Sequence, residues 1–155
     1  MVNVQLLRRE ALIVRSAMES CDKGSSTILT QSFPIMNCKF ASLLLAFHYF
    51  QLLDDTEIIC VTGYGESSVS HVWLEIGEYL IDITGDQYNM IDDIELSEAV
   101  IKYRAFPKIH IEKAAQSYLP RIFERTERLI LKQDFSGFKT SFVSKIKRSH
   151  SLLIS

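Results

Sequence analysis

The sequence predicts an α+β fold in which an N-terminal helix and a central helix pack on an antiparallel sheet, with a further helix at the C-terminus. Apolar residues recur at helical spacing over residues 2–20, and a nearly all-apolar stretch follows Asn37. Residues 70–84 alternate in character around a tight turn, as in a hairpin. The N-terminal helix is expected to cover the core with the stripe Val4, Leu7, Ala11, Val14 and Met18.

The central helix is predicted to begin at Cys38. Residues 27–36 are irregular, because Pro34 has no amide donor and restricts the residue before it. Asn37 is a favourable N-cap, so Cys38 lies in the first turn, and residues 40–53 are apolar on nearly every side. The first turn offers free amide groups and the positive end of the helix dipole, and both favour a thiolate. The alternative for Cys38 is that of most free cysteines, a small buried hydrophobe.

The hairpin is predicted to carry a histidine and an aspartate on one face. A two-residue turn at Gly77-Glu78 pairs Trp73 with Asp82, so that His71 becomes a diagonal neighbour of Asp82. The alternate, apolar residues point to the opposite face and pack on the core. A carboxylate beside an imidazole fixes its tautomer and stabilises the imidazolium, so this pair is half of a nucleophilic site. An ordinary cross-strand polar pair is the other interpretation.

The pattern outside the hairpin predicts a strand at residues 57–63 before it and weaker elements after Asn89. A strand is predicted for residues 99–106, ended by Pro107. A helix is predicted from Pro120 to about Lys132, because proline suits the start of a helix. The basic residues that follow are expected on a solvated surface.

Length and composition limit the possible functions. A chain of 155 residues suits one domain, which we expect to span residues 1–155 with a core at 27–106, the N-terminal helix at 2–20 and a C-terminal helical extension at 109–155. A net charge of −2 gives no general basis for binding nucleic acid, and no apolar run is long enough to span a membrane. Three cysteines without Cys-x-x-Cys spacing argue against a disulfide framework and a structural zinc site. We expect no cofactor and a cytoplasmic protein with reduced thiols; a secreted effector without a leader and the oligomeric state stay open.

Three segments carry a resemblance to a known family. They are FPIMNCKFASLL at residues 33–44, SHVWLE at 70–75 and IDITGDQY at 81–88. They resemble the Phe-Pro, Cys and Ser/Leu-rich helix, the His-Ala-Trp-Leu-Glu strand and the Ile-Asp-Ile-Thr-Ala-Asp-Gln-Phe ending of small bacterial transglutaminase-like proteins, in the papain-like and transglutaminase-like superfamily of cysteine enzymes. The resemblance covers about a third of the chain. Asn37 and Lys39 depart from the glycine or acidic neighbours that the cysteine often has in this group.

The resemblance implies a papain-like core and a catalytic triad. Cys38 is the nucleophile, His71 the general base and then acid, and Asp82 the residue that orients the histidine. The resemblance specifies the oxyanion donors less closely. One candidate is the backbone amide of Cys38. The other is the side chain of Gln31, because papain-like enzymes use a glutamine slightly upstream of the cysteine. Asn37, which departs from the pattern of the group, is expected to change the oxyanion pocket. Trp73 either walls the cleft or covers apolar surface at the edge of the sheet.

Three classes of function follow from these residues. The leading one is cysteine-dependent acyl transfer on a peptide or protein amide, which includes peptidase, amidase, deamidase and transglutaminase outcomes. The second is a catalytically silent protein-binding module on the same fold. The third is a metal site made of Cys38, His71 and Asp82, which lacks an obvious fourth ligand.

Overall fold

The protein is an α+β structure of helices packed on one antiparallel sheet. The computed structural model describes residues 2–23 and 27–154, and within these ranges it has five helices and five strands. The helices are α1 (Val4–Ser20), α2 (Cys38–Leu52), α3 (Glu98–Lys102), α4 (Leu119–Ile122) and α5 (Thr140–Leu153). The strands are β1 (Ile58–Tyr64), β2 (Ser70–Ile76), β3 (Tyr79–Asp82), β4 (His110–Lys113) and β5 (Arg125–Leu131).

The sheet has the strand order β4-β3-β2-β1-β5, with every neighbouring pair antiparallel. The predicted hairpin register is confirmed, since Leu74 pairs with Ile81 and Ile76 with Tyr79. Gly77 occupies the turn with a φ of 60°, a left-handed conformation that glycine adopts without steric cost. The predicted strand and hairpin thus form the centre of the sheet, with β2 in the middle.

One face of the sheet is covered by α1, α2 and α5. Both long helices at the front of the chain form where predicted, and Asn3 caps α1 by accepting from the amides of Gln5 and Leu6. Most of α2 is buried, because it lies between the sheet and the other two helices. Apolar residues of β2 and β3 complete this core with Val72, Leu74, Ile76 and Ile81.

The other face of the sheet, which carries His71, is also buried. A second apolar cluster forms here from the sheet residues and from the chain between β3 and β5. Its members include Val61, Trp73, Leu80, Tyr88, Val100, Phe106, Leu119 and Phe123. The hairpin is therefore sandwiched between two cores, and the side chain of His71 is fully buried.

Three predictions for the later part of the chain are wrong. The strand predicted for residues 99–106 is the short helix α3, because the hydroxyl of Ser97 accepts from the amide of Val100 and caps a helical turn. The helix predicted from Pro120 to Lys132 ends at Ile122, and β5 follows along the free edge of β1. The extension at 109–155 consequently contains β4 and β5 as well as α5.

Among the described residues, no helix combines the length and apolar character needed to cross a membrane.

Candidate active site

His71 and Asp82 form a buried pair across β2 and β3. The Nε2 atom of His71 lies 2.9 Å from Oδ1 of Asp82, and both side chains are fully buried. The same Oδ1 accepts from the amide of Thr84 at 3.0 Å, and Oδ2 accepts from the hydroxyl of Tyr118. All three of these groups donate hydrogen bonds to the carboxylate. Burial alone raises the pKa of Asp82, but the charge and hydrogen bond of His71, with the bonds from Tyr118 and Thr84, lower it overall.

Cys38 completes a chain of three titratable side chains. It is the first residue of α2 and is partly exposed, and its thiol lies within reach of the imidazole of His71. One turn later, Ser42 donates to the carbonyl of Val72 at 3.3 Å and holds the start of α2 on β2. Burial acts to raise the pKa of the Cys38 thiol. The hydrogen bond and charge of His71 and the backbone of Val72 outweigh it, so that the pKa lies below its ordinary value.

The proton of the Cys38–His71 pair therefore lies on the histidine. Burial acts to lower the pKa of His71, but the charge and hydrogen bond of Asp82, followed by those of Cys38, raise it to about 10. A thiol with a lowered pKa beside an imidazole with a raised pKa loses its proton before the imidazole does, and a thiolate–imidazolium pair results. Cys60 differs, because burial raises the pKa of its thiol to about 11 and keeps it protonated.

Aromatic rings enclose His71 on its sheet face. The ring of Phe123 is stacked on it at a centroid distance of 5.7 Å, Tyr88 meets it edge-on at 5.2 Å, and Trp73 lies at 6.3 Å. Gly63, which pairs with His71 on β1, leaves room for this layer, since a Cβ there would lie 2.4 Å from Trp73 Cη2. The rings exclude water from this side of the imidazole, and electrostatic interactions in the pair are stronger as a result.

The oxyanion candidates from the sequence are not brought to the triad in the predicted way. Gln31 is exposed and its amide donates to the carbonyl of Lys23 at 2.7 Å, so its side chain is engaged at the end of α1. Asn37 precedes α2 as predicted, but its side chain makes no cap; it accepts from the amide of Thr30 and donates to the carbonyl of Ile35. The side chain stabilises the loop before Cys38 instead.

Trp73 lies in a different place from both of its predicted positions. It is 2% exposed and belongs to the second apolar cluster, on the middle strand of the sheet rather than at an edge. Its Nε1 has no hydrogen-bond partner among the residues that the structure describes. Trp73 thus packs behind His71 and Phe123 and does not wall an open cleft.

Gln87 is the amide that the structure brings to His71 instead. Its Nε2 lies 3.4 Å from Nδ1 of His71 and donates to the carbonyl of Thr84 at 3.1 Å. Its Oε1 accepts from the amide of Met36, two residues before Cys38. The amide orientation is fixed by chemistry, because a backbone N–H can only donate and a carbonyl can only accept.

A buried ion pair anchors the turn that carries Gln87. Arg15 of α1 donates to both carboxylate oxygens of Asp86 at 2.7 Å and to the carbonyl of Ile83. Its guanidinium also lies over the ring of Phe33, 4.9 Å from the centroid. This bidentate contact ties α1, the loop before α2 and the turn after β3 together around the site.

Sequence reasoning missed Gln87, Tyr118 and Phe123. Gln87 stands in the Asp-Gln-Tyr segment of the resemblance, so its proximity to the aspartate was available as a signal. No local pattern marks Tyr118 or Phe123, because each reaches the site through the fold of the later chain. His110, taken as structural, bonds the hydroxyl of Ser117 at 2.8 Å and does not contact the thiol in any hydrogen bond described.

A large cavity lies away from the triad. It has a volume of about 610 Å³ and lies at the C-terminal end of α2, lined by Leu52, Thr56 and Glu75 among others. Since α2 has 15 residues, this cavity is roughly 20 Å along the helix from Cys38. A smaller space of about 220 Å³ is lined by Lys39, Leu43 and Cys60, next to the start of the helix. The position of the candidate triad therefore follows from side-chain geometry and not from cavity size.

Comparison with protein-family models, with curated proteins and with solved structures finds no match for this chain. The transglutaminase-like resemblance accordingly stays a prediction. In the described ranges, no group of three or more histidine, cysteine, aspartate and glutamate residues is arranged to hold a metal ion. What can be said about chemistry rests on the contacts of Cys38, His71 and Asp82.

Proposed function

We propose that the protein is a cysteine-dependent acyl-transfer enzyme that acts through Cys38, His71 and Asp82. The observation that carries the proposal is the buried pair of His71 and Asp82, joined by a 2.9 Å bond, with the partly exposed Cys38 beside the imidazole. Its polarity supports nucleophilic chemistry, because the pKa of the thiol is lowered while that of the imidazole is raised. A merely structural cysteine in an apolar core has the opposite shift, as Cys60 does.

The proposed reaction has two stages. The Cys38 thiolate forms a bond to the carbonyl carbon of an amide or ester, and the carbonyl electron pair moves to its oxygen. Collapse of this intermediate expels the amine or alcohol, which takes the proton from His71 and leaves a thioester on Cys38. Water or an amine, deprotonated by His71, then attacks the thioester and releases the thiolate. Peptidase, amidase, deamidase and transglutaminase outcomes share these steps.

Gln87 is the donor that we propose for the oxyanion, together with the backbone amide of Cys38. When His71 is an imidazolium, its Nδ1 carries a proton and cannot accept from the Gln87 amide 3.4 Å away. One N–H of Gln87 then has no acceptor on the histidine and is available to the substrate oxygen. Its other contacts, to Met36 and Thr84, hold the amide in place before reaction begins.

The proposed substrate is a peptide or protein amide, and the proposed location is a reducing compartment such as the cytoplasm. The three cysteines are free thiols, and Cys38 must stay reduced to act as a nucleophile. Cys38 is the partly exposed residue of the triad, whereas His71 and Asp82 are buried.

The pH dependence of alkylation tests the proposal. Iodoacetamide is applied to the full-length protein over a series of pH values, and each cysteine peptide is quantified by mass spectrometry. Cys38 is expected to react well below its ordinary pKa of 9.0, while Cys60 does not. His71→Ala should move the Cys38 midpoint back up toward that value. His48→Ala is the matched control, because it removes another buried histidine, and should leave the midpoint unchanged.

Formation of an acyl-enzyme provides the second arm. Incubation with a p-nitrophenyl ester should release nitrophenol in a burst and leave an acyl group on Cys38, which Cys38→Ser abolishes. An ordinary thiol profile together with no acyl adduct on a folded protein would favour the silent binding module instead.

A further inference from the structure

Tyr118 contacts the oxygen of Asp82 that the triad leaves unused. Its hydroxyl donates to Oδ2, whereas His71 and the amide of Thr84 both bond to Oδ1. Oδ1 is thus bonded by a residue of β2 and by the turn after β3, whereas Oδ2 is bonded by a residue that lies 36 positions after Asp82 in the chain. Rotation of the carboxylate about its Cβ–Cγ bond would break both sets of contacts at once.

Tyr118 is itself held rigidly. Its ring lies on that of His110 at a centroid distance of 4.2 Å and meets Phe106 edge-on at 4.9 Å. The hydroxyl of Ser117 bonds His110 at 2.8 Å and accepts from the amide of Leu119 at 3.1 Å, so the backbone on both sides of Tyr118 is fixed. A side chain with so little freedom can restrain the group that it contacts.

Gly85 provides an independent indication that this contact is built into the fold. A Cβ at Gly85 would lie 2.4 Å from the Tyr118 hydroxyl and 2.7 Å from Oδ2 of Asp82. Its φ lies outside the left-handed region, so the backbone does not require glycine there. The missing side chain therefore makes space for the tyrosine to reach the carboxylate.

We propose that Tyr118 is a positioning residue that fixes the Asp82 carboxylate in the orientation in which it holds His71. This inference rests on the proposed function, because it assigns Tyr118 a role in keeping the Cys38–His71 pair aligned. The charged or titratable groups near the carboxylate are His71 and Cys38 on one side, His110 on β4 on the other, and Asp86 and Tyr88 beyond Tyr118. Burial and the charge of Asp82 raise the pKa of Tyr118, so its hydroxyl remains a donor.

The test compares Cys38 alkylation profiles of the wild type and Tyr118→Phe, which removes only the hydroxyl. Without this donor Asp82 takes up a proton at higher pH and is less well oriented, so the acid limb of the profile should shift to higher pH. On the acid limb of the wild-type profile, the rate at a fixed pH should fall about tenfold, the size expected when a hydrogen bond to a charged group is lost. Tyr49→Phe is the matched control: its buried hydroxyl donates to the carbonyl of Leu7, far from Asp82, and its profile should equal that of the wild type.

Gly85→Ala approaches the same contact from the other side and carries the test if Tyr118→Phe does not fold. Its new methyl group should displace the tyrosine hydroxyl and shift the acid limb in the same direction, and an unchanged limb would contradict the inference. If the wild type reacts at low pH and Tyr118→Phe has the same profile, the role of Tyr118 is overturned and the proposed function stands. If the wild type has the profile of an ordinary thiol, both are overturned.

Discussion

Replacing Cys38 with serine should make the stability of the protein fall more steeply with rising pH than that of the wild type between pH 6.5 and 9.0. In the folded wild type, the proton shared by Cys38 and His71 lies on the histidine; in the unfolded chain at mildly alkaline pH it lies on the cysteine. Between the ordinary values of 6.5 for histidine and 9.0 for cysteine, the unfolded chain binds one proton on this pair, whereas the folded pair keeps a proton on His71. The lowered pKa of Cys38 therefore offsets pH dependence that the raised pKa of His71 would give by itself.

The two shifts contribute with opposite signs. The raised pKa of His71 gives stability that is complete below 6.5 and is lost as pH rises toward about 10. The lowered pKa of Cys38 gives stability that is complete above 9.0 and is lost as pH falls. Serine removes only the second contribution, and Asp82 still supplies the larger part of the stabilisation of the imidazolium. The folded variant then binds up to one more proton than its unfolded chain, so stability should fall by at most about 1.4 kcal/mol per pH unit, or about 3 kcal/mol across the interval.

Urea denaturation at several pH values within this interval measures the difference. The raised pKa of Cys60 keeps its thiol protonated in both states below 9.0, so Cys60→Ala is the control that should keep the wild-type slope. The lowered pKa values of His110 and His150 act below 6.5 and do not interfere. A Cys38→Ser protein with the same slope as the wild type would refute the assignment of the proton to His71.

Three further predictions concern the surroundings of the site. Gly63→Ala places a methyl group against the Trp73 ring, so the free energy of unfolding measured in urea should be about 1–3 kcal/mol lower. Unchanged stability would mean that the layer behind the histidine is loosely packed. Asp86→Asn leaves the buried Arg15 charge without its carboxylate and should cost about 3–5 kcal/mol in the same assay, and a cost near zero would contradict the buried ion pair. Burial and a neighbouring histidine lower the pKa of His150, so stability should be lost as pH falls below 6.5; His150→Gln should flatten this acid dependence of thermal unfolding, and an unchanged dependence would argue against it.

The front of the fold could be predicted because its signals are local. The spacing of apolar residues defines α1 and α2, and the two-residue turn with Gly77 sets the register that brings His71 to Asp82. The later chain lacks such signals. Residues 125–131 alternate imperfectly and follow a proline that suits a helix start, and the free edge of β1 decides their conformation. That edge is a tertiary feature, which the segment itself does not encode.

The candidate site was predictable for the three side chains that carry the proposed chemistry and not for those that support them. Cys38 follows from the start of α2, and the other two follow from the hairpin. Gln31 was chosen by analogy of spacing, but its loop turns the side chain outward toward Lys23. Tyr118 reaches Asp82 only through the packing of the segment after β4, so its role depends on contacts between residues distant in the chain.

The later part of the chain supplies both outer strands of the sheet, β4 beside β3 and β5 beside β1. During synthesis on a ribosome the three inner strands emerge first, with the backbone groups of two open edges exposed to pairing with other chains. The residues that close those edges also bring the tyrosine and the phenylalanine that surround the histidine and its aspartate. A nascent chain therefore lacks the contacts of Tyr118 with Asp82 and of Phe123 with His71 until the residues that close the sheet have left the exit tunnel.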